Sequence, residues 1–195
     1  MTSLMRGITV GRDHSGSVIR DDGRVTSALV YLDGSAAASA PLRLRSLSDF
    51  EEFFAPLYPS LVHCSWLVDG ADFSYPDDRE PGFLADVLAH YQDCRYFRDG
   101  SLRRWARYLV DDWCEIVGFG SIALDPRAMV HACAGGLSDE GILALTPQPE
   151  VVFRCVDGVR WSLYAHDEAL LTIARDHAMS VGGLRVSNVD LGYDL

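Results

Sequence analysis

Six histidines and five cysteines are the residues with which this chain could ligate a metal or build a nucleophile. Asp86 and His90 stand four apart in a stretch that reads as helix, one turn from each other. A carboxylate there can orient an imidazole, which is the supporting half of a hydrolytic triad. The nucleophile would come from elsewhere, from Cys64, Cys133 or a serine, because catalytic partners are often distant in sequence. The plainer reading is a boundary histidine hydrogen-bonded to a nearby acid. No GxSxG elbow is present.

Metal spacing is poor. His63 and Cys64 are adjacent on an expected strand, so they should face opposite sides and fail to chelate together. His131 and Cys133, two apart on an expected helix, diverge likewise. His90 and Cys94 share a helical face and make half of a zinc site, but no second half has matching spacing. No metal site and no cofactor are expected. The cysteines, Cys64, Cys94, Cys114, Cys133 and Cys155, include no CxxC and should be reduced and buried.

All 17 basic residues are arginine. Without lysine there is no P-loop lysine and no Schiff base. Gly118-Phe119-Gly120-Ser121-Ile122 lacks the third glycine of a dinucleotide loop and follows an expected helix, so it reads as a helix stop and turn. Scarce lysine and a single asparagine, Asn188, fit a GC-rich bacterial genome.

Charge is the strongest compositional signal. Twenty-eight acidic residues against 17 basic leave −11. Such a chain is repelled by nucleic acid and by anionic membranes, and is suited to docking on a basic protein. Asp77, Asp78 and Glu80, with Asp111 and Asp112, are the candidate docking acids. The plainer reading is a solvated loop and face. Arg103, Arg104 and Arg107 form the dense basic cluster, which could hold an anion or pair internally, Arg107 with Asp111.

The elements that must position these groups are legible as turns and periods. Asp-Gly pairs at 22–23, 33–34, 69–70, 99–100 and 157–158 mark reversals. A two-residue loop at Asp69-Gly70 would pair Val68 with Ala71, Trp66 with Phe73 and Cys64 with Tyr75 on one apolar face. Asp157-Gly158 would set Arg154 opposite Trp161, and Asp22-Gly23 would help build an N-terminal meander with Leu4–Val10. Helices are predicted after a Ser48/Glu51 capping box, through Phe50, Phe53, Phe54 and Leu57, with Pro56 and Pro59 at its exit. Others run from Pro81 to Cys94, from a Ser101 cap to Gly118, from an Asp125-Pro126 cap to Gly135, and from Asp167 to His177. Leu184–Val189 reads as a β tail.

Together these predict one α+β domain over residues 1–195, an antiparallel sheet built from hairpins with about four to five helices on it. The first residues lack the basic end and apolar run of a signal peptide, and no stretch is long enough to span a bilayer, so a cytoplasmic protein is expected. The expected role is a non-enzymatic acidic binding protein that neutralises or regulates a basic partner, as an immunity protein does. The alternative is a small hydrolase or transferase using a Cys/His or Asp/His site, with His90, Asp86 and Cys64 as its candidate residues.

Overall fold

The computed structural model describes residues 5–12, 50, 54–73, 82–110, 113–120, 124–133, 135–156, 160–180 and 184–190. Alternation of apolar side chains drives most of these segments into strands. Eight form one antiparallel sheet in the order β10-β1-β9-β8-β7-β2-β5-β4. The strands are β1 (Arg6–Arg12), β2 (Ser65–Asp69), β4 (Val87–Tyr91), β5 (Cys94–Phe97), β7 (Trp113–Phe119), β8 (Val151–Val156), β9 (Arg160–Ala165) and β10 (Leu184–Asp190). A separate two-stranded sheet joins β3 (Asp72–Phe73) to β6 (Leu109–Val110). The α+β class with an antiparallel sheet is as the sequence predicts.

Both faces of the large sheet are covered. On one face, Trp66, Val68, Ile116, Phe153, Trp161 and Leu163 pack against Phe50, Phe54, Leu57, Leu61 and Trp105. The long C-terminal helix, α6 (Glu168–Ser180), closes this layer with Leu170, Leu171, Ala174 and Ala178. On the other face, Leu67, Tyr96, Val117, Phe119, Val152 and Tyr164 meet Met129, Val130 and Ile142. Those last three come from α4 (Pro126–Ala132) and α5 (Asp139–Ala144). Among the described residues the shorter helices include a 3-10 turn (Ala55–Leu57) and the single turns α1 (Tyr58–Leu61), α2 (Gly82–Asp86) and α3 (Leu102–Ala106).

Several expectations hold. Asp125 caps α4 by accepting from the Arg127 amide at 3.0 Å, with Pro126 in the first turn. Asp167 accepts from the Ala169 amide ahead of α6. The β tail is β10, paired with β1. All five cysteines are free and buried.

Others are corrected. Asp69-Gly70 does not close a two-residue hairpin. Gly70 does take φ +71 there, but β2 lies between β7 and β5, with Trp66 opposite Gly118 and Phe97. Every residue of β2 is buried, so its polar-looking side was never a solvent face. The predicted helix from Pro81 to Cys94 is helical only over α2; Val87 onward is strand, turning back at Gln92-Asp93 so that Tyr91 opposes Cys94. The predicted helix from Ser101 to Gly118 ends at Ala106 and continues as β6 and β7. In β7, Cys114 and Ile116 point to one core and Val117 and Phe119 to the other. Two apolar faces in a strand had been read as one helical arc. Arg107 therefore has no helical turn linking it to residue 111; its Nε donates to the Arg104 carbonyl.

The β8–β9 hairpin forms with a register one residue from that expected. Arg154 opposes Ser162, Cys155 opposes Trp161 and Val156 opposes Arg160. Pro56 follows the helical residue Phe54 in the first turn of a 3-10 helix (Ala55–Leu57), and Pro59 lies in the first turn of α1. Ser48, Glu51, Phe53, Asp22-Gly23 and Asp33-Gly34 lie outside the described residues.

Candidate functional site

The end of β7 is flanked by two chain segments. His63 and Cys64 precede β2 on one side, and Glu150 precedes β8 on the other. The Glu150 amide donates to the Gly118 carbonyl at 2.9 Å. The Cys64 amide donates to the Leu61 carbonyl at 3.1 Å, and the Cys64 carbonyl accepts from Gly100 at 3.2 Å. These bonds fix all three side chains near one point. His63 Nε2 lies 2.8 Å from Glu150 Oε2, and Cys64 Sγ lies 3.8 Å from each of those atoms.

His63 and Cys64 were expected to point apart, as neighbours on a strand do. They do not, because β2 begins only at Ser65 and the chain is still turning at 62 and 63. Glycine at 120 completes the arrangement: a side chain there would collide with the Glu150 carboxylate. The Gly-Phe-Gly segment is thus the end of a strand that gives up side chains to its neighbours. At Gly118 an added Cβ would sit 2.7 Å from both Trp66 and Val151.

Burial, then the charge and hydrogen bond of Glu150, then Asp99, push the Cys64 thiol up to about 12. It is a thiol and not a thiolate at neutral pH, so it is a poor nucleophile. The imidazole cannot relieve this. Its Nε2 is the atom that contacts the thiol, and the same atom is engaged by Glu150. A catalytic relay needs the acid on one ring nitrogen and the nucleophile at the other.

A second concentration of chemistry lies on the opposite side of β2. A hollow of about 220 Å³ is lined by Asp69, Tyr91, Asp93, Cys94, Cys133 and the Gly135-Gly136 bend. Asp69 accepts from the Leu137 amide at 3.0 Å. Its carboxyl is nevertheless held above the ordinary range by burial and, more weakly, by the charge of Asp93. Cys94 and Cys133 hydrogen-bond to each other, and this bond together with burial raises the Cys94 thiol strongly. Gly135 and Gly136 hold φ +112 and +95, which only glycine adopts readily.

The expected Asp86–His90 dyad is not assembled. Asp86 ends α2 and is buried, paired with Arg104 at 2.9 Å and Arg98 at 3.3 Å. His90 is exposed on β4, with its Nε2 on the Gln92 carbonyl. Neither is near Cys64 in register. His90 and Cys94 share no helical face, since both are on strands. His131 is exposed, its ring centroid 4.2 Å from that of Tyr91, while Cys133 turns inward as expected. Asp77, Asp78, Glu80, Asp111 and Asp112 lie outside the described residues. Glu150 follows Pro147 and Pro149 in the chain, and nothing in the sequence links it to a histidine 87 positions away.

Among the described residues, Arg98, Arg104 and Arg154 pair with acids of the chain itself. Arg154, across from Glu115 in the sheet, bonds Glu115 at 3.1 Å and also Asp139 at the start of α5. Burial disfavours its charge, but Asp139, Tyr164 and Glu115 more than restore it. No helix of the described residues is long and apolar enough to cross a membrane. No protein-family model, curated protein or solved structure matches the chain.

Proposed function

We propose that this chain is a non-enzymatic acidic binding protein that takes a basic side chain of a protein partner into the hollow between Asp69 and Asp93. The observation that carries this reading is that two carboxylates line one concave site, where the charge of Asp93 adds to the burial that holds the Asp69 carboxyl above its ordinary range. An arginine or lysine placed between them would offset that charge, and Tyr91 on the rim offers a face for a guanidinium. The net charge of −11 would steer a cationic protein toward this surface. Neutralisation of a toxic or otherwise active basic protein in the cytoplasm, in the manner of an immunity protein, is the biological role that fits.

The hydrolase alternative is disfavoured by the same geometry that raised it. Cys64 and His63 do meet, but with the thiol protonated and the imidazole held at the wrong nitrogen.

The test is calorimetric titration of the purified chain with an arginine-rich peptide and a glutamate-rich control. Binding of the first alone, weakened by salt, is expected. Asp69→Asn and Asp93→Asn should each weaken it, while Asp176→Asn on α6, with the same change in net charge, should not. Equal effects at all three positions would reduce the interaction to non-specific attraction and overturn the reading.

A further inference from the structure

Acid, imidazole and thiol can be arranged in two chemically different ways. In a relay they form a chain, and in a metal cradle all donor atoms face a common centre. Glu150 Oε2, His63 Nε2 and Cys64 Sγ form a closed triangle with sides of 2.8, 3.8 and 3.8 Å. That is convergence.

The triangle can be compared with what a metal demands. Tetrahedral zinc, with bonds of about 2.0–2.1 Å to nitrogen, about 2.0–2.2 Å to oxygen and about 2.3 Å to sulfur, places nitrogen and oxygen about 3.4 Å apart. It places sulfur about 3.6 Å from either. Both sulfur separations are already within a few tenths of an ångström of this. Only the imidazole and carboxylate must part, by about half an ångström. Those are the two solvent-facing groups, with side chains 43% and 47% exposed, so they have room to move. The buried Cys64 is the fixed point.

We infer that His63, Cys64 and Glu150 form a three-ligand binding site for zinc(II), with the fourth coordination position open to solvent. One sulfur, one nitrogen and one oxygen suit a borderline-soft ion. Magnesium and calcium prefer oxygen alone. The surroundings favour a dication: Glu150 and Asp99 set up the negative field that opposes ionisation of the thiol, and the same field attracts zinc. The backbone bonds of Cys64 and Glu150 and the missing side chain at Gly120 hold the donors in place before the ion arrives.

The protons balance as follows. Cys64–SH gives up its proton and becomes the Cys64–S–Zn bond. Glu150 binds as a carboxylate. His63 binds as a neutral imidazole, its ring proton on Nδ1 and its Nε2 lone pair on zinc, so that the thiol supplies the proton released. One proton is released per zinc bound.

The full-length chain, stripped with a chelator, is titrated with cobalt(II) as a spectroscopic probe and then with zinc. One equivalent of cobalt should produce a thiolate-to-cobalt charge-transfer band and the intense visible bands of a four-coordinate ion, with release of one proton. Zinc should displace it. Cys64→Ser should abolish the charge-transfer band. Glu150→Gln and His63→Gln, both at exposed groups, should weaken binding by at least about tenfold and keep the test sound if the cysteine variant misfolds. Cys94→Ala should leave the band intact. Absence of the band at one equivalent overturns the inference. So does a band that survives Glu150→Gln and His63→Gln undiminished, or one lost with Cys94.

Discussion

The carboxylate of Glu150 occupies the space beside Gly120 in which any side chain at that position would stand. Two residues earlier, Gly118 yields its space to the indole of Trp66 and the side chain of Val151. Gly118 lies in β7 and Gly120 one residue past its end, and the two have different neighbours. Gly120 faces the movable end of a half-exposed chain, whereas Gly118 faces packed core.

Substitution should separate them. Gly118→Ala overpacks the core and should cost about 1–3 kcal/mol in urea denaturation. Gly120→Ala should change stability little, because the Glu150 carboxylate can swing aside. It should instead reduce zinc affinity as much as Glu150→Gln does. Equal stability losses at both positions would show that Glu150 is not free to move.

The Cys64 thiol should alkylate far more slowly than an unfolded cysteine at neutral pH, and faster as pH climbs toward its value of about 12. Glu150→Gln keeps an acceptor oxygen but removes the charge that helps to hold the proton on sulfur. Labelling of Cys64 by iodoacetamide, followed by mass spectrometry in the metal-free chain, should therefore accelerate, by about tenfold for each pKa unit recovered. An unchanged rate would mean that burial alone sets the thiol.

Asp69 makes a pH prediction. Burial first, and Asp93 second, hold its carboxyl above the ordinary range, so the native state binds that proton more tightly than the unfolded chain does. Stability from this group is complete below its unfolded pKa and is lost as pH rises through the folded one. Asp69→Asn keeps an oxygen for the Leu137 amide and removes the charge. It should raise Tm at neutral pH, with the gain vanishing under acidic conditions. A lower Tm at neutral pH would contradict the like-charge account of the hollow.

Asp86 and His90 should behave oppositely. Asp86 is 2% exposed and neutralised by two half-exposed arginines, so Asp86→Asn should destabilise by about 1–3 kcal/mol. His90, on the surface of β4, should tolerate alanine within about 0.5 kcal/mol. Urea denaturation of the two variants checks this, and a large loss at His90 would restore a structural role for the pair.

Local signals held for the Asp125-Pro126 cap and the apolar stripe of α6, which depend on residues a few positions apart. They failed for turns, since no hairpin closes at Asp69-Gly70 and the β8–β9 hairpin is one residue out of the expected register. Where a strand is buried on both faces, periodicity loses its meaning. In Trp113–Phe119 the core-facing residues of two layers merge into a pattern that a helix would also produce, and β7 was accordingly read as helix. The docking acids proposed from charge alone, Asp77 to Glu80 with Asp111 and Asp112, lie outside the described residues. The acids that line one hollow, Asp69 at the end of β2 and Asp93 in the turn between β4 and β5, share no motif.

The amino-acid sequence by itself determined the class of fold, the acidic balance, the reduced state of the buried thiols and the helices that carry their own caps. Only the tertiary structure decided that β7 lies between β2 and β8, and hence that Glu150 reaches His63 and Cys64 across it. The reason is physical. A residue pattern records which side of an element must be kept from water, but not which other element will cover it. Side chains 86 and 87 positions apart come together only once the order of strands in the sheet is fixed.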